Sequence, residues 1–284
     1  MKTYFCTVNG RKLSICEQGK GFPIIWMHGL MMNMKVDQVI GLAGFDGRFD
    51  NYRVIRIDAP GHGMSEGTLN SDDYKWSSLP STIIGLADQL GIDRFIASGF
   101  SMGSAAAIET AVQYPDRVEA VVLCMPPVIW EDRPVQCGSY LRMTELAEQG
   151  RLLRFLPRLL NSTPVPVAFV EAGQPGTTSA VIEQMCSLRS EYYAPILQGA
   201  ALSDYPNREV LSRLKKPTLI IGWKDDPTHP QKSCDELIKV LPNAKFHIAS
   251  CFDEFLQLKQ HVEDFLSCIT ALNSSSGRMM PAQL

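Results

Sequence analysis

Gly99-Phe100-Ser101-Met102-Gly103 places one serine between two glycines. It follows the apolar run Arg94–Phe100 and opens an Ala-rich helical segment, Met102–Tyr114, stopped by Pro115. A strand passing straight into a helix needs a very tight turn, and glycines let the backbone through without a Cβ clash. The Ser101 hydroxyl would then stand at the strand tip. Beside it, the unpaired N–H groups of a helix N-terminus favour developing negative charge. Such a hydroxyl is a candidate nucleophile for acyl transfer, and it needs a base to be a good one. The plainer reading is a helix N-cap.

A second pattern is His28-Gly29-Leu30, directly after the apolar run Pro23–Met27. The glycine lets a backbone N–H turn toward the space above Ser101. The N–H groups of Leu30 and Met102 together are candidates for an oxyanion hole. His28 reads as a brace for its own loop and also as a candidate substrate contact. A third, Asp58-Ala59-Pro60-Gly61-His62-Gly63-Met64-Ser65, is a Pro/Gly turn after Tyr52–Ile57 in which His62 reads as structural.

The elements that must hold these residues are short buried runs alternating with helical segments. Tyr4–Val8 and Lys12–Cys16 flank Asn9-Gly10, a hairpin signal. Further strands are expected at Val118–Cys124, Thr218–Ile221 and Ala244–Ala249, and helices at Ser78–Leu90, Ser233–Leu241 and Glu254–Leu266. The alternation predicts an α/β fold, a mostly parallel sheet with helices on both faces. Residues 137–207 instead read as helices (Ser139–Glu148, Leu152–Leu160, Ala180–Gln198) around a Pro/Gly loop. We expect a helical cap inserted there between core segments 1–136 and 208–272, with a disordered tail at 273–284.

The chain resembles the α/β-hydrolase superfamily: the hairpin, HG, DAPGHGMS, GFSMG and the insertion occur in that family's order across nearly the whole chain. The resemblance implies an eight-stranded sheet and a serine nucleophile, Ser101, activated by a histidine that a carboxylate holds. It places the acid after the seventh strand, in TLIIGWKDDPTHP, where both Asp225 and Asp226 fit. Asp226 is preferred because the proline after it fixes the turn. Glu131, after the sixth strand, is another option, or else an ion-pair partner of Arg133. Family members usually carry the histidine in a small loop after the eighth strand, and here NAKFHIASCFDEFLQLKQHVEDFL departs from that pattern. His247 falls inside the strand and His261 inside the last helix. His229, on the acid loop, is the preferred base, His247 the alternative, and a site without a base stays open.

Composition bounds the partners. The 284 residues carry a net charge of −3, which gives no global attraction for nucleic acid. No apolar run reaches the length of a membrane span, and the first residues lack the apolar core of a signal peptide. The eight cysteines form no CxxC pair, which argues against a zinc site and for a reducing, cytoplasmic setting. GLAGFDG (41–47) lacks the strand–helix setting of a phosphate loop, so no cofactor or metal is implied. Apolar positions such as Tyr140, Met143 and Leu156 in the insertion, with Phe100, Trp130 and Trp223, are candidates to line a pocket for a small-molecule substrate. The expectation is hydrolysis of a small, mostly apolar ester or lactone through an acyl-enzyme. The alternative is a degenerate member with a ligand-binding, lyase or cyclase role.

Overall fold

The computed structural model describes residues 2–41, 51–161, 171 and 174–275. Eight strands form one sheet in the order β1-β2-β4-β3-β5-β6-β7-β8. They are β1 (Lys2–Val8), β2 (Arg11–Gln18), β3 (Phe22–Met27), β4 (Tyr52–Ile57), β5 (Phe95–Phe100), β6 (Val118–Cys124), β7 (Thr218–Trp223) and β8 (Ala244–Ala249). β2 runs against both its neighbours, and every pairing from β4 to β8 is parallel.

β3, β5 and β7 are buried along their whole length. Their side chains therefore divide between two cores with a period of two. Ile24, Trp26, Ile96 and Phe100 enter one core, and Ile25, Met27, Phe95 and Ala97 the other. The second core is closed by α2 (Leu79–Gln89), α3 (Met102–Gln113) and α9 (Gln231–Val240). The first is closed by α1 (Met34–Ile40) and α10 (Phe252–Ser275). Parallel strands covered on both faces are the α/β arrangement expected from the alternation.

Between β6 and β7 lie α4 (Arg133–Glu148), α5 (Leu152–Asn161), α6 (Thr177–Met185), α7 (Tyr193–Ala201) and the short α8 (Arg208–Ser212). α4 begins six residues before the helix read from sequence, with Pro134 in its first turn, where a missing N–H costs nothing. The helix expected over 180–198 is two. Pro195 has no N–H for a carbonyl one turn back, so a new helix starts at Tyr193 and keeps that proline in its first turn. α10 extends through Ser275, into the segment expected to be disordered; residues 276–284 of that tail, and 42–47 of GLAGFDG, lie outside the described residues. Among the described residues no helix is long and apolar enough to cross a membrane.

Candidate active site

The turn between β5 and α3 is as tight as the motif demands. Ser101 has φ +52° and ψ −111°, a left-handed conformation that a non-glycine residue adopts only under constraint. The glycines show why. A Cβ on Gly103 would stand 1.9 Å from the Met27 carbonyl oxygen, and one on Gly99 2.4 Å from the Gly103 backbone. β3, β5 and α3 can approach this closely only without those side chains. The Ser101 N–H donates to the Cys124 carbonyl (2.9 Å), which pins the turn to β6.

The Ser101 hydroxyl lies 2.9 Å from His229 Nε2, and His229 Nδ1 lies 2.8 Å from Asp226 Oδ2. A carboxylate only accepts, so Nδ1–H donates to Asp226 and Nε2 presents its lone pair to the serine O–H. The other carboxylate oxygen, Oδ1, accepts from the N–H groups of Thr228 (2.8 Å) and His229 (3.2 Å), which curls the loop on itself. Ser101, Asp226 and His229 are 8%, 4% and 5% exposed. The Phe100 ring packs against the imidazole, centroids 5.2 Å apart. The three residues thus form one buried chain of hydrogen bonds of the kind that activates a serine.

Opposite Ser101 the loop after β3 carries Leu30, while Met102 opens α3 with an N–H that the helix itself cannot satisfy. The next N–H, that of Met31, is taken by His62 Nε2 (3.2 Å), and Met31 sits at φ +60°. His62 Nδ1–H donates in turn to the Pro60 carbonyl (2.9 Å). His28 works in parallel: Nε2 accepts from the Ala59 N–H (2.9 Å) and Nδ1–H donates to the Gly29 carbonyl (2.8 Å). The two rings, 5.0 Å apart, tie the loops after β3 and β4 together. Complete burial lowers His28 to about 4 and, with its neighbour His28 adding to the effect, His62 to about 3, so both braces are neutral.

A pocket of about 800 Å³ opens over Ser101. Phe100, Ile40, Met143, Leu156, Val181 and Met185 are among its lining residues, so α1 and the helices between β6 and β7 enclose it. Its mouth carries Glu131, Asp132 and Lys232.

Other residues singled out in the sequence stand elsewhere. His28 is fully buried behind its loop and does not reach the pocket as a substrate contact. His247 stacks on His261 of α10 (3.7 Å between centroids, 10° between planes), so it is not the partner of Ser101. Only Ser250 and Cys251 separate β8 from α10, and the Ser250 N–H and hydroxyl both bond Glu254. That short connection has no loop to carry a base. Asp225 is exposed at φ +61°, and the carboxylate that meets His229 is that of Asp226. Glu131 pairs with Arg208 in a fork (2.6 and 2.8 Å) rather than with Arg133, which holds it low, at about 2. Trp130 is covered by the Arg208 guanidinium (4.0 Å) and bonds the Pro206 carbonyl, so it does not line the pocket. Trp223 is wholly buried against Phe255 of α10. Sequence reasoning missed Met31, Met32, Val181 and Met185 as lining. The first two follow the HG pair directly, which was a usable signal.

The family model described as alpha/beta hydrolase fold matches residues 23–150. A 2-hydroxy-6-oxo-6-phenylhexa-2,4-dienoate hydrolase of Comamonas testosteroni is 31% identical over 249 residues, covering 82% of each chain. The chain belongs to the α/β-hydrolase family. Among solved structures, a thermophilic esterase from Thermogutta terrifontis superposes with a TM-score of 0.80 at 19% identity, covering 95% of this chain and 99% of its own. The enol-lactonase from Burkholderia xenovorans LB400 does so with 0.74 at 22%, covering 93% and 100%. These two share the fold. The Comamonas testosteroni relative is named a hydrolase, which supports a hydrolase role for this member of the family.

Proposed function

We propose that this α/β-hydrolase cleaves a small, uncharged, mostly apolar carboxylic ester or lactone, with Ser101 as nucleophile, His229 as base and Asp226 as its orienting acid. The observation that carries the reading is the unbroken hydrogen-bond chain from the Ser101 hydroxyl through His229 to Asp226 at the floor of an apolar pocket.

In the reaction, Ser101 Oγ attacks the substrate carbonyl as its proton passes to His229 Nε2. The tetrahedral oxyanion is held by the N–H groups of Leu30 and Met102, donors fixed before the charge forms. The imidazolium, balanced by Asp226, then gives its proton to the departing alkoxide. Water attacks the acyl-enzyme while His229 takes its proton. The acid leaves and Ser101 is restored.

An apolar wall favours a hydrocarbon acyl group, and the four pocket methionines give a surface that adapts to different chains. The helices between β6 and β7 act as a cap over this pocket. No cofactor enters the reaction. Treatment with a fluorophosphonate probe followed by peptide mapping tests the reading: Ser101 should be labelled, and Ser101→Ala should abolish both labelling and turnover of p-nitrophenyl hexanoate. Turnover that survives Ser101→Ala would refute Ser101 as the nucleophile, and a wild type that neither labels nor turns over the ester would leave the ligand-binding, lyase or cyclase alternative.

A further inference from the structure

α4 makes a contact with the loop between β7 and α9 that the reaction above does not use. The loop is anchored at its start by the Lys224 N–H on the Ala249 carbonyl (2.9 Å) and at its end by the Ser233 N–H on the Pro230 carbonyl (2.9 Å). Between those points the Asp226 bonds to Thr228 and His229 are internal to the loop. Gln136 grips it from outside, its side-chain amide donating to the Thr228 carbonyl (3.4 Å), one residue before His229.

The direction of that amide is set from behind by Arg133. This arginine is buried, donating from Nε to the Ser203 carbonyl (2.8 Å) and from one terminal nitrogen to the Ala200 carbonyl (2.7 Å). Its other terminal nitrogen donates to Gln136 Oε1, and its plane lies over Trp76 (4.1 Å). A guanidinium has no acceptor, so the glutamine must turn its oxygen to Arg133 and its NH₂ to Thr228. Asp132, just before α4, and Lys232, in the first turn of α9, tie the flanks of these two segments at the surface (2.5 Å).

We infer that Gln136 is a positioning residue that holds the acid–base loop, through the Thr228 carbonyl, at the distance from which His229 meets Ser101. The inference rests on the assignment of His229 as base. Its force comes from the shared loop: a displacement that moves His229 moves Asp226 too, and about 1 Å of misplacement can cost about a hundredfold in rate.

Two substitutions separate this role from its rivals. Gln136→Glu keeps an acceptor for Arg133 and loses the donor to Thr228. Gln136→Met removes both and adds no charge. Positioning predicts that both lower kcat on p-nitrophenyl hexanoate about tenfold or more and slow fluorophosphonate labelling of Ser101 in parallel. KM should stay within about twofold, and Gln136→Glu should melt as the wild type does. A rise in KM at unchanged kcat would make Gln136, which also lines the pocket, a substrate contact and overturn the inference. Wild-type kcat in Gln136→Glu would overturn it too, since support of Arg133 would then be the whole role. Failure of the wild type itself to label at Ser101 would instead overturn the reading of the nucleophile, and this inference with it.

Discussion

His229 and the carboxylate that orients it, Asp226, are three residues apart on one loop, joined by a bond of 2.8 Å. The acid and base proposed for Ser101 are thus positioned by a single stretch of chain after β7, and β8 contributes neither. Replacing His229 by Ala should lower kcat by about 10⁴-fold or more, leaving the part that oxyanion donors and binding supply. Asp226→Asn should cost about 10⁴-fold, because an amide can no longer hold the imidazole in the right tautomer. His247→Ala should leave kcat within about twofold. Steady-state rates on one p-nitrophenyl ester decide all three, and a large loss in His247→Ala would return the base to β8.

The places of the strands along the chain and the Ser101 turn were legible in the sequence because both are written locally. Val, Ile and Ala runs of strand length announce buried parallel strands, and a turn that admits no Cβ at Gly99 and Gly103 must spell those glycines out. The choice between Asp225 and Asp226 was harder, since two adjacent carboxylates differ only in which way the backbone turns; in the structure it is Asp226 whose carboxylate meets His229, at 2.8 Å. Trp130 and Trp223 were misplaced for a different reason. A tryptophan at a strand end reads the same whether it faces a cleft, a guanidinium or a helix, and only the partner elements, Arg208 of α8 and Phe255 of α10, distinguish these. Gln136 gave no signal at all, because its role depends on Arg133 and Thr228, 92 residues away in sequence for the latter.

Gly103→Ala should damage the fold as well as the site. The added Cβ would meet the Met27 carbonyl oxygen at 1.9 Å, and backbone gives way far less readily than a side chain. Overpacking in a dense core typically costs about 1–3 kcal/mol, and this contact belongs at or above the upper end. Thermal unfolding should show a fall of roughly 6 °C or more, at about 2–4 °C per kcal/mol for a chain of comparable size. An unchanged melting temperature would show that α3 can slide away from β3.

Acid stability should follow the buried braces. His28 and His62 are neutral in the folded protein, at about 4 and about 3, against about 6.5 in the unfolded chain. Between pH ~6.5 and ~4 unfolding therefore takes up a proton at each, so their contribution is present above ~6.5 and is lost as pH falls. Asp37 acts the other way. Burial pushes it up to about 7, despite its bond from the Trp26 indole N–H (2.7 Å), so it is protonated when folded and unfolding releases a proton over the same range. Two taken up less one released leaves a net uptake of about one, a loss of roughly 1.4 kcal/mol per pH unit from these three groups. Asp37→Asn removes the release, so its stability should fall about twice as steeply with acid. Urea unfolding at several pH values between 4.5 and 6.5 measures both slopes, and a variant slope no steeper than the wild type's would contradict the assignment of a protonated Asp37.

The charges at the pocket mouth are already spoken for, and this sets which substrates can enter. Lys232 is paired with Asp132 (2.5 Å), and Arg208 with Glu131 and Glu236 (2.6 and 3.2 Å). Arg133 is taken up by the Ser203 and Ala200 carbonyls and by Gln136 Oε1. Among the described lining residues Lys232 is the only lysine or arginine, and apolar side chains such as Phe100, Ile40, Met143, Leu156, Val181 and Met185 offer a carboxylate no counter-charge. Taking an ion from water into such surroundings without a partner costs several kcal/mol. At 1.36 kcal/mol per tenfold, even 2–3 kcal/mol of that cost is a discrimination of about a hundredfold. The p-nitrophenyl esters of hexanoic acid and of adipic acid, whose far end is a carboxylate, have acyl chains of matched length. The first should be hydrolysed at least about a hundredfold better in kcat/KM. Met143→Arg, which puts a guanidinium on the wall, should narrow the gap by raising the rate on the adipate. Comparable rates on the two esters in the wild type would mean that a cation reaches the acyl site, and the assignment of an uncharged substrate would fall while Ser101 kept its place in the chemistry.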